Sequence, residues 1–257
     1  MSLKRRKTLG VCGDSFMSQT KNNKKGKDKH FIDFLSKKLN CDVVTFALGG
    51  CSNNVIRLQI NEIMKYRLDY LIIGLTTADR LELPVSPKDL SYYKKLENSN
   101  FKKENGVYNI FYGSDNLSSN NTPFKLIKPT LRSETLANII LDNCSSDYGQ
   151  LSEEETSAVV EYFKYMYDDK LKRQIDSWVI SDALADLNEK KINYTVINSC
   201  LDPEIIEKRS KDTVKSDDKL NPWLYTSYDT NHTFHLTEEN SIILSDLWYD
   251  KIKSYFI

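Results

Sequence analysis

The stretch DYLIIGL, from Asp69 to Leu75, restricts the fold of this chain more than any other. After Asp69 it is apolar throughout, as expected of a central strand in a parallel sheet with both faces covered. Three further short apolar runs repeat the signal: TLGVC from Thr8 to Cys12, VVTF from Val43 to Phe46, and YTVI from Tyr194 to Ile197. Amphipathic segments alternate with them. HFIDFLSKKL places Phe31, Phe34, Leu35 and Leu39 on one helical face, and residues 54–66 carry Val55, Leu58, Ile63 and Met64 at helical spacing. Strand, helix, strand, helix, strand predicts a three-layer α/β/α sandwich around a parallel sheet joined by right-handed crossovers.

The chain's 257 residues read as a single domain, 1–257, with an insertion over the sheet after the third strand, at about 84–150. The insertion is rich in Asn, Ser, Lys and Tyr, with aromatics too frequent for a tether. From Leu151 to Lys191 runs a helical pattern with Val159, Phe163, Tyr167, Leu171, Ile175, Trp178 and Leu187 near one stripe. Ser152 is a candidate N-cap, and Asp168–Asp169 a candidate break into two helices. Residues 202–234 read as a polar loop. Thr237 to Tyr255 closes the chain as an amphipathic helix with Leu244, Leu247, Trp248 and Ile252 inward.

Composition narrows the classes. The 36 basic and 36 acidic side chains cancel, which argues against a globally basic nucleic-acid binder. Residues 4–29 hold nine basic side chains against two acids, a run expected to face water rather than nucleic acid. No apolar run reaches the roughly 18 residues of a membrane span, and the N-terminal sequence lacks the apolar core of a signal peptide. A cytoplasmic protein without membrane association is expected. Five cysteines without paired spacing fit a reducing compartment, and no CxxC or HxxxH spacing suggests a metal; neither metal nor cofactor is expected.

Two features carry chemistry. Gly13-Asp14-Ser15 directly follows the first strand, where open α/β sheets bind ligands beyond the carboxyl ends of their strands. A serine there, on a Gly-assisted turn, is exposed above the sheet, and its own N–H can face a developing oxyanion. Near the other end, Asp229-Thr-Asn-His232-Thr-Phe-His235-Leu-Thr237 holds two of the three histidines, just before a helix that Thr237 caps. A serine nucleophile needs a base, and the base an orienting group.

Taken together, the strand-end GDS and the Asp/His loop before the last helix resemble the SGNH (GDSL) hydrolase superfamily. The resemblance implies a flavodoxin-like three-layer fold and a serine esterase or acylhydrolase, with carbohydrate O-deacylation as first substrate class. It implies Ser15 as nucleophile and a small-molecule or glycan ester as substrate. Gly50, in the Leu48-Gly49-Gly50-Cys51 loop after the second strand, would line the oxyanion hole. Two alternatives stand for the base. Asp229 and His232 satisfy the DxxH block, whereas His235 has the better spacing to the helix, and Asp229 would then orient it from six residues away. His235 is preferred. The chain departs from the family pattern after the third strand, where Ala78 stands in place of the oxyanion-donating Asn. Asn53, Asn54, Thr76 and Thr77 are candidate substitutes. Arg80 at the same rim reads either as a contact for an anionic or polyol substrate or as an ion pair with Asp79 or Glu82. The missing Asn also supports an alternative, a catalytically weakened module that binds a glycan or a protein.

Overall fold

A computed structural model describes residues 5–18, 29–47, 51–78, 80–84, 102–104, 107–109, 124–127, 145–146, 149–150, 157–158, 161–162, 165–226 and 236–257. The central sheet is built on β1 (Thr8–Cys12), β2 (Asp42–Thr45) and β3 (Tyr70–Gly74). Six short strands follow: β4 (Leu81–Pro84), β5 (Lys102–Glu104), β6 (Val107–Asn109), β7 (Phe124–Ile127), β8 (Ser145–Ser146) and β9 (Gly149–Gln150). β10 (Tyr194–Ile197) and β11 (Thr213–Val214) return to the sheet. The helices are α1 (Phe31–Leu39), α2 (Asn53–Ile63), α3 (Asp169–Glu189), α4 (Pro203–Arg209) and α5 (Glu238–Ile252).

The seven-stranded sheet has the order β11-β10-β3-β1-β2-β6-β5. β11, β10, β3, β1 and β2 run parallel, with Gly10 opposite both Val44 and Leu71. This is the doubly wound three-layer arrangement expected from the alternation of runs and helices. The pleat sorts side chains between two cores. On one face Leu71 and Ile73 meet Val55, Ile56, Ile60, Ile180 and Leu184 of α2 and α3. On the other, Leu9, Val11 and Ile72 meet Phe31, Ile32 and Leu35 of α1 and Leu244 and Trp248 of α5. The helix ends follow local chemistry. His30 caps α1 in a capping box with Asp33, Asn40 closes it in the left-handed conformation, and the Thr237 hydroxyl accepts from Asn240 N at the start of α5.

Within the segment 84–150, β6 adds parallel to β2, and β5 pairs antiparallel with β6. Two expectations are corrected. In the long pattern of 151–191 the expected break at Asp168–Asp169 is present: residues 157–158, 161–162 and 165 are helical, and α3 begins at Asp169, capped by Asp168. Its inward face departs from the expected stripe, which it shares only at Leu187 among the described residues. Asp176, Ser177, Ile180, Ala183, Leu184 and Leu187 are buried, while Leu171, Ile175 and Trp178 are exposed. The break at Asp168 resets the helical phase, so a stripe counted from Val159 does not carry through. Residues 202–234 are not only loop. They hold α4, whose start has the Asp202 cap and Pro203 in its first turn, and the two-residue strand β11.

β1 ends at a position only glycine tolerates. Gly13 has φ +145°, and a Cβ there would stand 2.5 Å from Met17 Cγ and 2.8 Å from the Gly74 carbonyl oxygen. The backbone oxygen cannot move aside without disturbing β3. Gly13→Ala is expected to destabilise the fold by about 2 kcal/mol or more, measured as the shift of the urea unfolding midpoint at unchanged slope.

Candidate active site

The site is built from the chain leaving β1. Two main-chain groups of Gly13 are taken by one fully buried side chain: Gln59 Oε1 accepts from Gly13 N at 2.7 Å, and Gln59 Nε2 donates to Gly13 O at 3.1 Å. The strand therefore stops at a fixed place. Asp14 then closes a tight turn. Its carbonyl accepts from Met17 N and Ser18 N at 3.1 and 2.9 Å, and its Oδ1 accepts from Phe16 N at 3.0 Å. Ser15 is half-buried between Asp14 and Phe16, both buried. The turn lifts the serine out of the core while its neighbours remain in it.

Asp14 is 1% exposed, and its charge is compensated directly. Arg80 Nη1 lies 2.9 Å from Asp14 Oδ2, Thr76 Oγ1 donates to the same oxygen at 3.1 Å, and Arg80 Nη1 also donates to Cys51 O at 3.1 Å. Arg80 thus forms an ion pair at the rim, with Asp14 as its partner among the described residues. Of the two earlier partner candidates, Asp79 and the Glu82 side chain lie outside them.

Thr76, fully buried just past β3, is held by Asn53. Its N–H donates to Asn53 Oδ1 at 3.1 Å, and its carbonyl accepts from Asn53 Nδ2 at 3.0 Å. The same Nδ2 donates to Asp176 Oδ2 on α3 at 3.0 Å, and Lys172 pairs with Asp176 Oδ1 at 2.5 Å. The Asn53 amide is therefore engaged inside the fold. Thr77 is half-buried beside this turn, and Ala78 is buried.

On the other side of Ser15, the Phe16 ring lies 4.1 Å from the Trp223 ring, centroid to centroid, and the Phe16 carbonyl is 2.9 Å from His30 Nε2. His30 Nδ1 accepts from Ile32 N at 3.3 Å, so the neutral ring carries its proton on Nε2 and donates it to that carbonyl. Trp223 sits in a 3₁₀ turn, Pro222–Tyr225. Directly after it Thr226 pairs with Leu236 in an antiparallel bridge, and Asn240 Nδ2 donates to Tyr225 O at 2.8 Å. The expected base and orienting residues, Asp229, His232 and His235, lie outside the described residues, as does Gly50. The described structure brings Ser15, Asn53, Thr76, Thr77 and Arg80 to the carboxyl ends of β1 and β3.

Gln59, Asp14 as the ion-pair partner, and Asp176 were not singled out from sequence. Gln59 could have been: it falls on the helical face of Val55, Ile56, Ile60 and Ile63, where a polar residue is an exception. Among the described residues no group of three His, Cys, Asp or Glu side chains is placed to hold a metal, and no helix is long and apolar enough to cross a membrane. A cavity of about 310 Å³ lies at the opposite end of the sheet, near the starts of β3 and β10. Its polar walls are paired internally, Tyr70 with Thr195 and Lys251 with Asp212, and it takes no part in this site.

Neither a family model nor a curated protein sequence matches the chain. Among solved structures it is similar to an acetyl xylan esterase (Est2A) from the rumen bacterium Butyrivibrio proteoclasticus, at 11% identity and a TM-score of 0.42. That similarity covers 96% of this chain and 63% of the esterase, so the chain spans less than two thirds of that protein's length.

The described cysteines differ in access. Burial raises the Cys12 thiol well above its ordinary range, with the nearby Cys51 adding to the effect. Burial pushes Cys41 up to about 12. Both stay protonated at neutral pH, whereas Cys200 is half-buried. A disulfide reagent at pH 8 should label Cys200 in the folded protein and Cys12 and Cys41 only on unfolding. The linkage has a definite sign. Unfolded Cys41 ionises near 9.0, so its contribution to stability is complete below that pH and is lost as pH rises towards about 12. Breaking the Asp14–Arg80 pair from one side leaves a buried charge, and Asp14→Ala should cost about 3–5 kcal/mol in equilibrium unfolding.

Proposed function

We propose that the protein is a serine hydrolase of the SGNH type that cleaves an ester or acyl group. One observation carries the reading. Ser15 is half-exposed at the carboxyl end of β1, where the next strand in sequence, β2, lies on one side and β3 on the other. That is the switch point at which doubly wound sheets bind their ligands. A second observation supports it. Trp223 packs on Phe16, and the Thr226–Leu236 bridge ties together the two ends of the segment that contains Asp229, His232 and His235.

In this reading the Ser15 hydroxyl attacks the carbonyl carbon while His235 takes its proton. The oxyanion that forms is held by the N–H groups of Ser15 and Gly50. His235 returns the proton to the leaving alcohol, leaving an acyl-serine. Water, deprotonated by the same histidine, then attacks the acyl carbon and restores Ser15. Asp229 orients the imidazole, with His232 as the alternative base. Thr77 and Arg80 are the candidate substrate contacts at the rim. Sugar esters are the proposed substrate class, since the tyrosines between residues 84 and 150 suit stacking on sugar rings.

The burial of Ala78, which offers no side-chain donor at the rim, favours a second reading: a module that binds a glycan or a protein with little turnover. Reaction with a fluorophosphonate probe separates the two. Labelling should occur and vanish in Ser15→Ala. His235→Ala should lower the labelling rate by about 10⁴, and His232→Ala should change it little. The reverse order assigns the base to His232, and an unlabelled wild-type protein points to the binding module. Activity should fall as pH drops through the imidazole titration, because only the neutral ring accepts the Ser15 proton.

A further inference from the structure

Behind the candidate nucleophile runs a continuous buried polar path that the hydrolase reading does not use. Asp176 is 0% exposed on α3, Asn53 is 0% exposed at the start of α2, and Thr76 is 0% exposed just past β3. Asp176 receives Asn53 Nδ2, Asn53 bonds both main-chain groups of Thr76, and the Thr76 hydroxyl bonds Asp14, the residue before Ser15. The α2–α3 contact has an apolar core of its own in Val55, Ile56, Ile180 and Leu184. A carboxyl group buried there carries a desolvation penalty that its pairing with Lys172 has to offset, so adhesion between the helices does not account for it.

Direction accounts for it. A side-chain amide has one donating and one accepting face of nearly equal shape, and the Thr76 N–H and carbonyl match only one orientation of it. Asp176 Oδ2, on a carboxyl group whose other oxygen is held by Lys172, takes a further hydrogen bond from the Asn53 nitrogen and reinforces that orientation. In that single orientation Asn53 continues the hydrogen bonding of β3 for one residue beyond the strand's end, as a neighbouring strand would. Thr76 is thereby held with its hydroxyl on Asp14 Oδ2, while Asp14 Oδ1 holds the turn on which Ser15 sits.

We propose that Asn53 and Asp176 are positioning residues for the nucleophile: Asp176 reinforces the orientation of the Asn53 amide, and Asn53 fixes through Thr76 the Asp14–Ser15 turn. The inference rests on the hydrolase reading of Ser15.

The test uses the full chain with Asn53→Ala and the isosteric Asp176→Asn. Three readouts are needed: the second-order rate of Ser15 phosphonylation by a fluorophosphonate, kcat and KM for p-nitrophenyl acetate, and hydrogen exchange of the Thr76 amide. Asn53→Ala should lower the phosphonylation rate and kcat at least about tenfold with KM unchanged, since small displacements of a reacting group act on the chemical step. Thr76 amide exchange should accelerate while the amides of Leu9 and Val11 in β1 stay protected. Asp176→Asn should move the same readouts in the same direction by a smaller factor, and it carries the test alone if Asn53→Ala does not fold. A folded variant that phosphonylates at the wild-type rate overturns the positioning role and leaves the hydrolase reading standing. A wild-type protein that the probe does not label overturns both.

Discussion

Everything near the candidate nucleophile depends on where β1 is made to stop. A strand paired on both sides has no reason of its own to end, since each added residue finds partners in β2 and β3. Gln59 ends it by taking both main-chain groups of Gly13, and the positive φ of Gly13 then turns the chain away. Because Gln59 belongs to α2 and is fully buried, the stopping point is referenced to the helix layer rather than to the sheet. Asp14 and Ser15 inherit their positions from that one decision. The nearby thiol of Cys51, which donates to Gly13 O at 3.4 Å, completes the enclosure of this carbonyl.

Legibility followed the length of the signal. Runs such as DYLIIGL and TLGVC are apolar enough on both faces to be read directly as buried strands, α1 is legible from its apolar face, and α5 from its cap at Thr237. What escaped was short or out of phase. β11 is two residues long and owes its place to pairing with β10, a long-range effect with no local trace. The inward face of α3 includes Asp176 and Ser177, and a reading that sends polar residues outward must place Trp178 and Ile175 inside instead. Arg80 was visible as a rim residue, yet its partner Asp14 lies 66 positions away in sequence, and only the adjacency of β1 and β3 brings the two together.

The polar residues matter more to the geometry of this site than its apolar ones. Leu, Ile and Val fill the two cores and fix which layers touch, but dispersion contacts are nearly isotropic and do not orient a turn. Hydrogen bonds to a main chain do. Two amides of α2, Asn53 and Gln59, hold the chain just beyond the ends of β3 and β1 respectively. The helix that covers one face of the sheet thus also fixes both exits at the switch point, so packing and site geometry are set by a single element.

The bridge between Thr226 and Leu236 has a consequence for how such a protein can change over generations. It holds Thr226 and Leu236, ten positions apart in sequence, side by side. The bridge fixes that the two ends meet whatever the number of residues between them. Closing a longer stretch is inexpensive, about 0.6 kcal/mol for each doubling of length. A change of length between Thr226 and Leu236 therefore meets only a small closure cost. The number of residues between the two ends is thus a quantity that selection can change at little entropic cost.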